Sequence, residues 1–156
     1  MSRRAFVLTA AASLAVAAGL AIVLVILLRN GGEEKLTKAE YIARVEAVCR
    51  DYNRRLARIP APIAVGNPRA VAESIGRALP LVEERAAAAQ AIAPPPELAA
   101  RVEQVFSLSD TAIAELRSAH RAAEAGSLKR SARALGRFLV ASDDARSAAV
   151  AIGLNC

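Results

Sequence analysis

The side chains able to carry chemistry in this sequence are few: one histidine, two cysteines, scattered carboxylates and a surplus of arginine. His120 has no second ligand at metal-binding spacing, so it predicts no metal site and reads as a partly buried structural residue. The acidic pairs Glu83-Glu84 and Asp143-Asp144 are sequence neighbours. On a helix, neighbours diverge by about 100°, so neither pair can hold one substrate from one side. No glycine-rich phosphate loop, haem-attachment motif or nucleophile elbow is present. These residues predict a non-enzymatic chain with no cofactor.

Arginine is the stronger signal. The formal net charge is +6, and the cations recur at helical spacing. Arg50, Arg54 and Arg58 form an i, i+4, i+8 stripe beside Arg55, and Lys129, Arg130, Arg133 and Arg137 form a second. Such stripes attract anions, in this case an anionic cell-wall polymer or an acidic protein, although a merely solvated arginine face has the same pattern. Aromatic residues make up only 3% of the chain and none interleaves the arginines for base stacking, so nucleic acid is not an expected partner.

Cys49 and Cys156 are the only cysteines. Two cysteines are too few for a closed metal site, and in a small exported domain they favour a disulfide over two buried thiols. Such a bond requires Cys156 to turn back along the domain, because Cys49 lies about three turns into its helix.

The segment from Ala5 to Leu28 carries no charge and is long enough to span a bilayer, for which about 20 helical residues suffice. Residues 1–30 are read as an N-terminal transmembrane helix, an uncleaved signal anchor. Cleavage after Ala17 would leave the most apolar half on the mature protein. Ser2-Arg3-Arg4-Ala5-Phe6 resembles a twin-arginine export signal, which would alter the route but not the destination. A four-residue tail ahead of the span and a large domain behind it predict a single-pass protein of the cell membrane, N-terminus inside and C-terminal domain outside. Ala11, Ala15 and Gly19 share one face of the span and could admit a partner transmembrane helix.

Beyond a hinge at residues 31–36, residues 37–156 read as one extracytoplasmic helical bundle. Thr37 and Glu40 form a capping box for a helix whose seam is Ile42, Val45, Cys49, Tyr52, Leu56 and Ile59. Pro60 and Pro62 end it, and Ile63 begins a loop. Asn67-Pro68 starts a second helix with a seam of Val71, Ile75, Leu79, Val82, Ala86 and Ala89, and Pro80 predicts a kink over residues 76–80. Pro94-Pro95-Pro96 closes that helix. A third runs from near Pro96 to Glu124, with Leu98, Val102, Val105, Phe106, Ile113 and Leu116 inward. Gly126 ends it, and Ser127 caps a fourth helix from Leu128 to Ile152 that uses Leu128, Leu135, Leu139, Ala145, Ala149 and Ile152. Gly153 closes this helix, and Leu154 completes a Schellman cap.

The fold class is therefore all-α, an N-terminal transmembrane helix followed by an up-down four-helix bundle. In that topology residues 48–80 and 110–139 fall at the membrane-distal end, where 12 Arg or Lys face 5 Asp or Glu. The two arginine stripes would then form one basic tip.

Leu36-Thr37-Lys38-Ala39-Glu40-Tyr41-Ile42, Ala47-Val48-Cys49 and the closing Gly153-Leu154-Asn155-Cys156 together resemble a family of small exported, membrane-anchored helical proteins of actinobacteria. The resemblance covers mainly the two ends of the domain. It implies export and a cysteine pair, and supplies no activity. The expected function is a membrane-tethered binding or accessory module at the cell envelope. The alternative is an extracytoplasmic ligand-sensing domain that relays through a partner membrane protein.

Overall fold

A computed structural model describes residues 35–60 and 66–156. The expected transmembrane segment, with Ala11, Ala15 and Gly19, lies outside the described residues, as do Pro62 and Ile63. Four helices and no strand occur among the described residues: α1 Lys38–Leu56, α2 Pro68–Gln90, α3 Ala99–Glu124 and α4 Leu128–Ala151. None of them is long and apolar enough to cross a membrane.

Helices α1 and α2 begin on side-chain caps, whereas Ser127, the expected cap of α4, stands at the N-cap position without a side-chain hydrogen bond. At the start of α1 the Thr37 side chain accepts the Glu40 amide, while the Glu40 carboxylate accepts the Thr37 amide at 2.8 Å. The Thr37 hydroxyl, which donates to the Glu40 carboxylate at 2.7 Å, and then the Thr37 amide hold the Glu40 carboxyl below its ordinary range. The helix stops at Leu56, short of the expected Ile59. Arg58 and Ile59 instead donate to the carbonyls of Arg55 and Leu56 in a tighter final turn, as Pro60 disfavours helical backbone at the residue before it. Asn67 accepts the Arg69 amide at 2.9 Å to open α2, with Pro68 at a position that needs no amide. This helix runs unbroken through Pro80, which sits exposed on its outer side. Helix α3 starts later than Pro96, after a turn in which Leu98 donates to Pro95.

Both C-terminal glycines take the left-handed backbone that a Schellman cap requires, Gly126 at φ 73° and Gly153 at φ 94°. Ser127 donates to Ala122 after α3, and Leu154 donates to Ala149 after α4. Leu154 then folds inward and is 3% exposed.

Successive helices are antiparallel. Asn53 and Arg55 of α1 meet Arg85 and Glu84 of α2, Glu83 and Gln90 of α2 meet Arg117 and Asp110 of α3, and Glu115 of α3 meets Arg137 of α4. Two apolar clusters fill the bundle. The first joins Tyr41, Val45 and Cys49 to Leu98, Val102, Ala149, Ile152 and Leu154. The second joins Val71, Ala72 and Ile75 to Leu116, Ala119, Ala123 and Ala134, and takes nothing from α1. Helices α3 and α4 pack along the greatest length, whereas α1 rests mainly on α2. The bundle is thus four helices deep at one end and three at the other.

The α4 seam differs from expectation. Leu139 is 65% exposed, as is Val140. The buried line is Ser131, Ala134, Ala141, Ala145 and Ala149, with Leu135 and Phe138 partly buried beside it. Small residues let α4 approach α3 closely, and that approach turns the larger Leu139 outward. Tyr41 is fully buried at 0% exposure, one position from the Ile42 expected in the α1 seam. Its hydroxyl finds no hydrogen-bond partner among the described residues, and burial pushes the phenol above its ordinary range.

Candidate functional site

Two groups of functional side chains emerge, one covalent and one cationic. Cys49 and Cys156 are disulfide-bonded, with Cα atoms 5.5 Å apart, inside the range such a bond accepts. The required reversal comes from the Gly153 cap. A Cβ on Gly153 would lie 3.3 Å from Cδ1 of Ile42, and the Asn155 amide donates to Glu46 at 3.2 Å. The tail therefore runs beside α1 in the direction of α1. From Ile42 to Cys49 the helix rises roughly 10 Å, and three non-helical residues from Gly153 to Cys156 cover about the same length. The match between these lengths is what closes the clasp.

The two arginine stripes meet different fates. On α1, Arg50 pairs with Glu46 at 3.6 Å and Arg54 with Asp51 at 3.2 Å. Arg55 turns onto α2, 3.2 Å from Glu84, and its guanidinium stacks 4.7 Å from the Tyr52 ring centroid. Three of the four cations of this stripe are thus answered by carboxylates of the bundle itself. Arg58 has no ion pair among the described residues.

In the α4 stripe, only Arg137 has such a partner among the described residues, Glu115 of α3 at 2.7 Å. The Oε2 it contacts is buried, so the two charges meet largely out of water. The Arg137 guanidinium keeps the Glu115 carboxyl below its ordinary range. Arg130 and Arg133 lack a carboxylate partner among the described residues, and Arg133 touches only the Lys129 carbonyl at 3.4 Å.

These α4 side chains open onto a cleft of about 420 Å³ between α3 and α4, lined by Ser118, Arg121, Ala122, Ala125, Arg130, Arg133 and Arg137. The alanines give it a shallow apolar floor, and four guanidiniums surround it. None of the α1 arginines lines it, and neither does Lys129. Arg121 enters from the last turn of α3, where the helix dipole also favours a cation. The sequence stripes did not include Arg121; Arg117, one turn before it, turns to Glu83 of α2, and only the α3–α4 packing puts Arg121 in one cleft with Arg130.

A second groove of about 690 Å³ lies between Gln90 at the end of α2 and the Glu103, Phe106 and Asp110 side of α3. It has the opposite charge and no converging polar set. His120 packs its ring against the backbone of α2 at Gly76, where an added Cβ would lie 3.0 Å from Nε2. Its Nδ1 is 3.8 Å from Glu124. Among the described residues no group of three or more His, Cys, Asp or Glu side chains could hold a metal ion. No protein family, curated protein or solved structure matches this chain.

Proposed function

We propose that this protein is a non-enzymatic, membrane-tethered helical module at the cell envelope that binds an anionic partner through the α3–α4 cleft. The tether is the uncharged stretch from Ala5 to Leu28, with the bundle outside the cell. The observation that carries the reading is the convergence of Arg121, Arg130, Arg133 and Arg137 from two helices on one cleft. Like charges packed together repel, so the cluster is best satisfied when a ligand supplies the missing negative charge. The α1 stripe, answered by Glu46, Asp51 and Glu84, has little left to offer a partner.

The test is retention of the full chain on isolated, insoluble envelope polymer at moderate salt. The variant Arg121→Ala/Arg130→Ala/Arg133→Ala should lose retention, and Arg50→Ala/Arg54→Ala/Arg58→Ala should keep it. Equal loss in both variants, or loss in neither, would overturn the assignment to this cleft.

A further inference from the structure

We infer that the α3–α4 cleft is a phosphate site, with Glu115 acting as an internal competitor that holds Arg137 until a phosphate group arrives. The inference rests on the anion-binding reading above and specifies the ligand. The bundle itself shows how many arginines a carboxylate takes. Glu46, Asp51, Glu83, Glu84 and Glu115 each pair with a single arginine. A carboxylate brings one charge and two coplanar oxygens, which one guanidinium fork can satisfy.

Arg121, Arg130 and Arg133 remain without carboxylates among the described residues, and they line one cleft from two helices, Arg121 from α3 and the other two one turn apart on α4. Three unpaired forks around one cleft favour a ligand with more charge at one centre and oxygens pointing several ways. A phosphate group carries about −1.5 to −2 charges as a monoester, and presents three strong acceptor oxygens. The Ser118 side of the cleft adds a hydroxyl that can donate to a fourth position.

Arg137 completes the set conditionally. Its contact with Glu115 is short, but its side chain is 57% exposed. An incoming phosphate that draws Arg137 away leaves the buried Oε2 of Glu115 without its cation, a cost that opposes binding. Removing the competing carboxylate should therefore strengthen binding.

The experiment is calorimetric titration of the full chain in a neutral detergent with pyrophosphate, alongside polyglutamate of matched charge at the same ionic strength. Pyrophosphate should bind more tightly than polyglutamate. Arg121→Ala and Arg130→Ala should each weaken it by roughly tenfold, the scale of one lost charged hydrogen bond. Glu115→Gln should strengthen it by roughly two- to fivefold, the scale of one exposed ion pair. Arg50→Ala should leave it unchanged. Arg50, Arg121 and Arg130 are exposed and Glu115 is partly buried, so unchanged helicity and a cooperative thermal transition will show that the variants fold.

Polyglutamate binding that depends on Arg130 with no pyrophosphate binding would overturn the phosphate assignment and leave the anion reading standing. Binding of neither would remove both. Unchanged or weaker pyrophosphate binding in Glu115→Gln would remove the competitor role. Two sources of a phosphate monoester are separated by repeating the titration with phosphatidic acid vesicles and with soluble glycerol 3-phosphate. Arg121-dependent binding in one arm supports the site and identifies its source.

Discussion

Replacing Cys156 with serine removes one covalent bond and leaves every helix sequence intact, so its effect isolates the clasp. The bond joins residues 107 positions apart. Chain-entropy reasoning then assigns about 4.8 kcal/mol of stability to its constraint on the unfolded chain, and removal of native disulfides from small domains typically costs 2–5 kcal/mol. The folded state should change little, since Leu154 stays buried under its own cap. Urea unfolding of the full chain in mild detergent, followed by far-ultraviolet circular dichroism, should show a loss of about 2–5 kcal/mol. The dependence on urea should also steepen, because the unlinked chain exposes more surface on unfolding. Wild-type protein treated with reductant should match Cys156→Ser. Hydrogen exchange adds the decisive comparison, because the loss should reach the slowest amides of α2 and α3, far from the cysteines. A stability loss under about 1 kcal/mol, or protection lost only around residues 153–156, would refute the argument and make the bond a local tether.

Three further outcomes are expected. Ser131 is 1% exposed and its hydroxyl has no partner among the described residues, so Ser131→Ala should raise stability by about 1 kcal/mol; a loss in the same urea titration would contradict that. Gly76→Ala should be unfavourable beside His120 despite the better helix propensity of alanine, but should stabilise by about 1 kcal/mol in a His120→Ala background. Additive effects in that double-mutant cycle would mean the 3.0 Å approach carries no energy. The Glu115 carboxyl is held below its ordinary value of 4.5 by Arg137, so the pair stabilises the fold above that pH and fades as pH falls through the lower folded value. The stability difference between wild type and Glu115→Gln should therefore be constant near neutrality and vanish in acid, as read from thermal midpoints across pH 2–7.

Much of the scaffold is legible before any coordinates. Thr37 with Glu40, Asn67 with Pro68, and the two closing glycines each encode a helix end through local hydrogen bonding, so they could be read from a few residues. The α4 interior could not. Alanine occupies so many positions that it marks no face, and large residues such as Leu139 then attract the assignment although the close α3–α4 packing needs small ones. The seam that starts at Ile42 leaves out the buried Tyr41 beside it, since a shift of one residue rotates a helix face by about 100°. The cleft is half legible. Its α4 arginines repeat at helical spacing, but Arg121 joins them only through packing between helices, and the ion pairs that occupy the α1 stripe likewise depend on α2.

The Cys49–Cys156 bond also determines how the bundle would carry tension. Pull on the chain at Leu36 and at its last residue, and the force passes down the start of α1 and straight across the sulfur bridge. The 107-residue span between the cysteines is shielded from that load. Only the stretch from Leu36 to Cys49 can unravel, a release of roughly 45 Å at full extension. An unlinked chain of this length could pay out several hundred. A domain tied to a surface by its first helix would stretch briefly under such a pull and then stop.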